Sequence, residues 1–406
     1  MRYLVGTCYF LLIVEILVIL RSFFYARREK RKTPPAFFPK VAVIAPHYGW
    51  DFRTAENVKR VLKQDYAGDH LVYLVTNYVG DADYDSSYRP LLELVEGYTN
   101  VQVVLAPNII DDDLPRSQKI QNLMSVIELL PNDIEVIAFI DADAEIRSDW
   151  LSQLVQPLKD PKVGATVGGR FYLVTGKNGF LKDLATVTEA AWVNFQLAIQ
   201  GDHPLTMVWG GSNAIRRKLI SQGKVLERWD RAAIEDHNLT FAVRSLNQKI
   251  HFVPEAISIC HTKHRSWKQV LEFTNRQTIM TYWMRHKIQW AILFMTVVPK
   301  TLILFSVPFL ALSMRTATWL FSLIPFLFLE IYCYRYSFVV LPDEMKHNQQ
   351  IRENIKRTSF AIPISGFVAA VNAVWAIFQN EIVWGNVRYR ILSDTECQVL
   401  GRVTNE

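Results

Sequence analysis

Two aspartates that lie two residues apart, Asp141 and Asp143, are the sharpest chemical signal in the sequence. They directly follow Val136–Ile140, a run in which every residue is apolar and which is typical of a strand buried on both faces. Two carboxylates just beyond such a strand can converge on a divalent cation, and Mg²⁺ usually takes one or two carboxylates and completes its shell with water and substrate phosphates. The pair therefore predicts a site where a metal neutralises a diphosphate leaving group.

Other segments with chemistry-bearing residues have structural interpretations of equal or greater weight. Glu235-Asp236 opens a predicted amphipathic helix, and acidic residues at that position favour the helix dipole in any protein. The Gly210-Gly211 pair would let backbone approach a ligand, but a tight turn explains it equally well. Asp111–Asp113 is interpreted as a solvated loop. His261-x-x-His264 has near-metal spacing but is interpreted as a polar wall of a site.

The elements that must position these residues alternate between strand and helix from residue 40 to residue 283. The predicted strands are Val41–Ala45, Leu71–Val75, Val101–Leu105 and Val136–Ile140. Apolar residues at helical spacing follow the first and third of them. This alternation predicts an α/β fold with a mostly parallel, doubly wound sheet. Because ligands of such sheets bind at the carboxyl ends of the strands, attention falls on Pro46, on residues 77–83 and on Asp141.

The composition excludes several classes of protein. Hydrophobic residues make up 50% of the chain and charged residues 21%, which excludes a disordered chain and exceeds the apolar content of an ordinary soluble enzyme. The four cysteines contain no C-x-x-C pair, so neither a disulfide scaffold nor a zinc ribbon is expected. P-loop, H-E-x-x-H and G-x-S-x-G motifs are absent from the sequence.

The apolar excess is concentrated at the two ends of the chain. Tyr3–Tyr25 is long enough to span a bilayer, and the basic run Arg27–Lys32 that follows favours a retained anchor with the rest of the chain in the cytoplasm. Three further candidate spans are Trp290–Leu312, Ala317–Leu341 and Phe360–Phe378. If all three crossed, the basic Arg388-Tyr389-Arg390 would lie outside, against the charge rule. One of the three is therefore not expected to cross fully, and the sequence leaves open which.

These features resemble a family 2 glycosyltransferase of GT-A fold, in its ceramide glucosyltransferase-like branch. The resemblance extends over essentially the whole chain, and the segments that carry it are Gln64-Asp65-Tyr66, Lys119-Ile120-Gln121-Asn122-Leu123, Gly211-Ser212, Glu235-Asp236-His237-Asn238-Leu239 and Arg388-Tyr389-Arg390. It implies a Rossmann-like, mostly parallel sheet in a cytoplasmic GT-A domain, with one N-terminal and two to three C-terminal membrane segments. The predicted parts are 1-39 (anchor and basic linker), 40-283 (GT-A domain) and 284-406 (interfacial helix, membrane cluster and tail).

The activity that the resemblance implies is inverting transfer of a hexose, with glucose the expected one, from a UDP-sugar to a hydroxyl of a membrane lipid such as ceramide or diacylglycerol. By position, Asp236 would be the general base, and Asp141 and Asp143 would hold a divalent metal, Mg²⁺ or Mn²⁺. The residues expected to bind the donor are Pro46, Asp81, Lys119, Asp141, Gly211, Arg276 and Gln277. The expected partners are the nucleotide sugar, the lipid acceptor and the bilayer, with no nucleic acid.

One departure from the family pattern bears on the alternatives. The (Gln/Arg)-x-x-Arg-Trp motif is expected where the chain reads Arg276-Gln277-Thr278-Ile279-Met280, so its second half is missing. This argues against a processive polysaccharide synthase, which together with a polyprenyl-phosphate sugar transferase is the alternative of the same fold. A catalytically inactive membrane scaffold is the alternative from another class. The intact Asp141, Asp143 and Asp236 argue against it.

Overall fold

The computed structural model describes residues 2–30, 36–79, 83–176, 179, 181–201, 206–283, 290–291, 294, 298, 301, 327–328, 331–332, 334–335 and 338–403. The chain divides into two compact units. Unit 1 comprises Met1–Glu29, Phe171–Gly201 and His261–Gln379, and unit 2 comprises Lys30–Arg170, Asp202–Cys260 and Asn380–Glu406. The division of the sequence into 1-39, 40-283 and 284-406 stays a prediction.

The strands and helices alternate through most of the described chain. The strands are β1 Val41–Pro46, β2 His70–Val79, β3 Asp83–Tyr84, β4 Val101–Ala106, β5 Val136–Ile140, β6 Ala144–Glu145, β7 Val163–Val167, β8 Arg170–Val174, β9 Ser212–Arg216, β10 Lys249–Phe252, β11 Ser258–Thr262, β12 Glu381–Trp384, β13 Val387–Ile391 and β14 Cys397–Arg402. The α-helices are α1 Arg2–Lys30, α2 Thr54–Leu62, α3 Tyr88–Leu94, α4 Gln118–Ile127, α5 Trp150–Val155, α6 Leu184–Phe195, α7 Lys218–Gln222, α8 Val225–Trp229, α9 Glu235–Ser245, α10 Trp267–Trp283, α11 Asp343–His347, α12 Gln349–Phe360 and α13 Ile362–Phe378.

The main sheet of unit 2 has eight strands within the described residues, in the order β10-β7-β9-β5-β1-β2-β3, with β4 also paired to β2. The pairs β1–β2, β1–β5, β2–β4 and β7–β10 are parallel. By contrast, β9 runs antiparallel to both β5 and β7, and β3 runs antiparallel to β2. The predicted α/β fold with a parallel-rich sheet is confirmed.

The centre of this sheet is formed by strands that are apolar on both faces. All five residues of β5 are buried, and Val41–Ala45 of β1 is buried as well. Helix α4 packs on β1, β2 and β4, which covers one face of the sheet. Strands covered on both faces lose the apolar–polar alternation of a half-exposed sheet, which is why the sequence shows them as continuous apolar runs.

Strand β2 is longer than the sequence predicted. It extends from His70 to Val79, because its parallel pairing with β4 continues through Asn77 opposite Ala106. The polar Thr76 and Asn77 are both buried there, so the apolar pattern ends before the backbone pairing does. The strand therefore continues at its carboxyl end for four residues beyond the predicted Val75.

A second sheet in unit 2 lies close to the end of the chain. Strands β12, β13 and β14 form an antiparallel three-stranded sheet among the described residues. A two-residue turn, Gly385-Asn386, joins the first two, and both residues have positive φ (56° and 61°). That is the backbone which a tight hairpin with right-twisted strands requires. The sequence predicted no strands in this segment, although its Arg388-Tyr389-Arg390, now in β13, is one of the motifs that carry the family resemblance.

Unit 1 contains helices α6 and α10 to α13 together with α1. Its interior holds a charged pair in which the Arg265 guanidinium donates to both carboxylate oxygens of the buried Glu189, at 2.9 and 3.0 Å. The amide of Asn354 accepts from the N–H of Val174 and donates to the carbonyl of Tyr172. These side chains satisfy buried polar groups, which would otherwise destabilise the unit.

The predicted membrane segments have differing outcomes. Tyr3–Tyr25 falls within α1, and α13 covers most of Phe360–Phe378, whereas Trp290–Leu312 and Ala317–Leu341 lie largely outside the described residues. In the described part of the chain, no helix taken singly combines the length and the apolar composition needed to cross a bilayer. One pair, α12 and α13, meets that requirement together, although the two are bent by 61° at the break between them.

Candidate active site

The site is built where β5 ends and β9 begins. Because the two strands are antiparallel, Ile140, the last residue of β5, is paired with Ser212, the first of β9. This register places Gly211 beside Asp141, and the N–H of Asp141 donates to the carbonyl oxygen of Gly211 at 3.4 Å. The two signals that the sequence shows 70 positions apart, Asp141 and Gly211, are thus neighbours across the sheet.

The turn that carries the two aspartates is fixed by hydrogen bonds to its backbone. The N–H of Ala144 donates to the carbonyl of Asp141 at 3.1 Å, which closes the turn. From helix α2, the side-chain amide of Asn57 donates to the carbonyl of Ala142 at 2.9 Å. Asp143 is exposed to solvent and Asp141 partly so, which leaves both carboxylates accessible at the carboxyl edge of the sheet.

Lys119 connects the two acidic segments of the site. It lies in the first turn of α4, where the Ser117 hydroxyl caps the helix by accepting from the N–H of Ile120. Its ammonium nitrogen is 2.7 Å from Oδ1 of Asp141 and 2.6 Å from Oε1 of Glu235. The other oxygen of Glu235, Oε2, is buried and has no hydrogen-bond partner among the residues that the structure describes.

The two glycines are required by side chains rather than by their own backbone angles. A Cβ on Gly210 would collide with the carboxylate of Glu235 and lie 3.0 Å from the Lys119 nitrogen. A Cβ on Gly211 would collide with the indole of Trp209 and lie 2.8 Å from Oδ2 of Asp141. Glycine is therefore the residue that lets β9 start this close to the lysine and the carboxylates.

Asp236 lies in the first turn of α9, next to Glu235. Its Oδ2 accepts from the N–H of Gly210 at 3.2 Å, and its Oδ1 accepts from the N–H of His237 at 2.7 Å. The indole of Trp229 donates to the carbonyl of Glu235 at 3.1 Å and fixes the start of the helix. The Asp236 carboxylate is thus held in one orientation and remains half-buried at the site.

The charges of the site shift one another's pKa values. Burial raises the pKa of Glu235 to about 7, and Asp236 adds to the shift while Lys119 opposes it. Burial also raises the pKa of Asp236. Although Asp143 keeps contact with solvent, the protein atoms around it and the charge of Asp141 raise its pKa to about 6. Burial alone would lower the pKa of Lys119, but Asp141 and Glu235 outweigh it and raise that pKa.

These shifts have one electrostatic consequence. Four carboxylates are opposed by Lys119 and, at Asp143, by Arg170, so the cluster has an excess of negative charge. This excess adds to burial, which is the main cause of the raised carboxylate pKa values. An added cation would relieve it. Perturbed acids gathered at the carboxyl edge of an α/β sheet are also the usual mark of a functional site.

The structure brings together five of the residues predicted from the sequence. They are Lys119, Asp141, Asp143, Gly211 and Asp236. Pro46 ends β1 at the same edge of the sheet. Asp81 lies outside the described residues. Arg276 and Gln277 lie on α10 in unit 1, where the Arg276 guanidinium is 5.5 Å from the centre of the Phe273 ring. The roles predicted for these last three residues stay predictions.

Three residues of the site could not be assigned from the sequence. Glu235 was interpreted as a residue that favours the helix dipole, whereas it is buried and paired with Lys119. Arg170 lies over the Trp209 ring at 5.0 Å, and its charge lowers the pKa of Asp143 against the effect of burial. Arg170 belongs to no pattern with chemical meaning, and Trp209 directly precedes the glycine pair of the sequence without itself indicating a role. Only the fold brings them to the aspartates.

A parallel-rich α/β sheet with acidic residues at its carboxyl edge has its candidate site where α/β proteins bind their ligands. The model of glycosyltransferase family 21 matches residues 4–397, and the chain belongs to this family. The resemblance to the ceramide glucosyltransferase-like branch is thereby confirmed, with family 21 as its family. The protein is a glycosyltransferase.

The fold is similar to that of a solved mannosyltransferase. The mannosyltransferase PcManGT from Pyrobaculum calidifontis, in complex with GDP-Man and Mn²⁺, has a TM-score of 0.51 and 16% sequence identity, over 92% of this chain and 99% of its own. GalNAc-T7 with UDP, GalNAc and Mn²⁺ has a TM-score of 0.40 and 14% identity, over 63% of this chain and 50% of its own. No curated protein sequence matches the chain.

Proposed function

We propose that the protein is an inverting glycosyltransferase that moves a hexose, with glucose the expected one, from a UDP-sugar to a hydroxyl group of a membrane lipid. The observation that carries the proposal is the bridge from Asp141 through Lys119 to Glu235, with Asp236 as the next residue. It joins the predicted diphosphate-binding aspartate to the predicted general base within one cluster. Such a cluster suits a reaction in which a diphosphate departs from the sugar near the lysine while a carboxylate removes a proton from the acceptor hydroxyl.

The residues present fit a divalent cation. Asp141 and Asp143 supply carboxylate oxygens, and the cluster around them has an excess of negative charge. In the described part of the chain, no group of three or more His, Cys, Asp or Glu side chains is arranged to hold a metal. Two carboxylates, with the remaining positions left to water and substrate phosphates, match the usual coordination of Mg²⁺. When bound, the ion would neutralise charge on the departing diphosphate.

The chain's own residues account for the rest of the reaction. The carboxylate of Asp236 takes the proton from the acceptor hydroxyl, whose oxygen forms a bond to the anomeric carbon. The bond between that carbon and the diphosphate oxygen breaks on the opposite face, which inverts the configuration. Lys119 supplies a fixed positive charge where negative charge develops on the leaving group. Its two carboxylate partners keep it protonated, because both raise its pKa.

The nature of the donor and acceptor is supported by separate observations. The similar structure PcManGT contains GDP-Man and Mn²⁺, in line with use of a nucleotide sugar and a metal. The acceptor is proposed to be a lipid because apolar runs of membrane length flank the charged region in the sequence. Helix α10 has a suitable composition for the headgroup level, with the exposed Trp267 and Leu271 and with Arg276 along its length. We propose an integral, multi-pass membrane protein whose catalytic part faces the cytoplasm.

The test of the proposed function is incubation of membranes that contain the protein with labelled UDP-sugars, and with GDP-mannose for comparison. A labelled glycolipid with a UDP-sugar as donor is the expected product. A labelled polyprenyl phosphate, or a polymer, would instead support the alternatives of the same fold. No transfer from any donor, with the protein intact, would indicate an inactive scaffold.

Replacement of Gly211 by alanine is expected to lower transfer activity at least about tenfold. The added methyl would collide with Trp209 and press on the Asp141 carboxylate, so that the aspartate could no longer keep its position at Lys119. Gly366→Ala is the matched control, because a Cβ at this position in α13 meets open space. Wild-type turnover in Gly211→Ala, measured in the label-transfer assay, would contradict the close packing described above.

The proposed orientation in the membrane predicts which side a cysteine at position 111 faces. Asp111 lies in an exposed turn of unit 2. Asp111→Cys is expected to resist a membrane-impermeant maleimide in intact cells and to react after permeabilisation. The same chain without the added cysteine controls for the four natural ones. Labelling from outside intact cells would overturn the cytoplasmic assignment.

A further inference from the structure

The three-stranded sheet β12–β14 contacts the start of α4, where Lys119 lies. The N–H of Gln118, the first residue of α4, points to the hydroxyl oxygen of Tyr389 at 3.5 Å. The ammonium nitrogen of Lys119 is 5.7 Å from the centre of the Trp384 indole ring. A cation at this distance from a tryptophan face is attracted to it. The last strands of the chain thus contribute an aromatic ring to the lysine at the centre of the site.

The same sheet also supports the segment that carries Asp236. The buried carboxylate of Asp394, between β13 and β14, pairs with the Arg228 guanidinium at 2.9 Å. The carbonyl of Asp394 accepts from the side-chain amide of Asn238 at 2.8 Å, and Asn238 is two residues beyond Asp236. The N–H of Cys397 donates to the carbonyl of Arg231 at 2.7 Å. These bonds join the sheet β12–β14 to α8, to the loop between α8 and α9, and to α9 itself.

A third contact reaches the loop that follows β1. The ring of Tyr48, two residues after Pro46, lies beside Gly385, in the turn between β12 and β13, where a Cβ on the glycine would be 4.0 Å from the ring. The C-terminal sheet therefore meets three separate segments, each of which carries or adjoins a predicted site residue: Pro46, Lys119 or Asp236.

We propose that the hairpin of β12 and β13 forms one wall of the nucleotide-sugar site, and that Trp384 is a positioning residue for Lys119. This inference rests on the proposed function. The indole face holds the ammonium between Asp141 and Glu235, at the point where the donor diphosphate would meet it. Because the ring carries no net charge, it localises the lysine without competing with the diphosphate as a third carboxylate would. The ligand of this wall is the diphosphate portion of the nucleotide sugar.

The test is the affinity of the full-length protein, in detergent, for UDP in the presence of Mn²⁺, measured by titration calorimetry. Trp384→Leu is expected to weaken UDP binding about tenfold, because the cation loses its aromatic partner. Trp384→Phe keeps a ring face and is expected to stay within about threefold of wild type. Val383→Ala is the matched control, since Val383 is the preceding residue of β12 and its side chain is 45% exposed. It should bind UDP as wild type does.

A double-mutant cycle separates positioning from general support of the fold. In a Lys119→Met background, Trp384→Leu is expected to change the UDP affinity less than about twofold, because the residue that the ring positions is gone. Unaltered UDP binding in Trp384→Leu, or an equal loss in both backgrounds, would overturn the inference while leaving the proposed function intact. Failure of the wild type to bind either UDP or GDP would overturn both.

Discussion

Asp236→Asn is expected to lower the turnover number at least about 10²-fold while UDP binding changes little. The asparagine keeps the size of the side chain and one oxygen that can accept from Gly210 or His237, so the start of α9 should stay in place. What it loses is the ability to take a proton from the acceptor. Burial raises the pKa of Asp236, which makes its carboxylate a stronger base than an exposed aspartate.

Initial rates and UDP affinity, measured side by side on the purified variant, check this expectation. Asp230→Asn is the matched control, because Asp230 is an exposed aspartate at the end of α8 that pairs with Arg116. It should keep wild-type values of both. Retained turnover together with lost nucleotide affinity in Asp236→Asn would make Asp236 a donor-binding residue instead.

Asp141→Asn and Asp143→Asn are each expected to abolish metal-dependent nucleotide binding and to lower turnover by a factor on the order of 10²–10³. Each removes one of two carboxylate charges proposed to hold the cation. Asp141→Asn also takes one of two carboxylate partners from Lys119, so it should have the larger effect. Mn²⁺ binding, followed by electron paramagnetic resonance without substrate, measures the loss directly.

Asp112→Asn is the control for these two variants. Asp112 is an exposed aspartate of the 111–113 turn, and its replacement should leave Mn²⁺ affinity unchanged. Normal turnover of either site variant in the presence of a chelator would show that the two aspartates have no metal role. The proposed insertion into the membrane should be the same for all three proteins, since the substitutions lie outside the apolar segments predicted to span it.

The sequence is sufficient to predict those strands that are buried on both faces, because each of them is a continuous apolar run. β1 and β5 are buried on both faces, so their apolar runs are visible without knowledge of their neighbours. The position of Asp141 at the end of β5 follows from the same run. The antiparallel β9 is different, because its residues Ser212–Arg216 are half polar and are buried by pairing with β5 and β7. Nothing in these five residues indicates that the strand runs antiparallel to its neighbours.

The contacts that complete the site depend on the folded chain. Glu235 and Lys119 are far apart in sequence, and Glu235 alone is typical of a solvated helix N-terminus. Burial, which no short pattern encodes, is what turns the pair into part of a site. The position of Trp384 is still harder to predict, since this residue ends the first strand of a hairpin that follows the last apolar segment of the sequence. Its position beside Lys119 is a property of the tertiary structure alone.

The configuration of the sugar linkage in the lipid product tests the central claim most directly. The purified protein would be supplied with a UDP-sugar whose sugar is α-linked and with lipid acceptors in mixed micelles, and the product would be analysed by NMR. A β-linked glycolipid is the expected result, because the hydroxyl activated by Asp236 attacks the face opposite the departing diphosphate. An α-linked product, or a soluble sugar glycosylated as readily as any lipid, would contradict the claim.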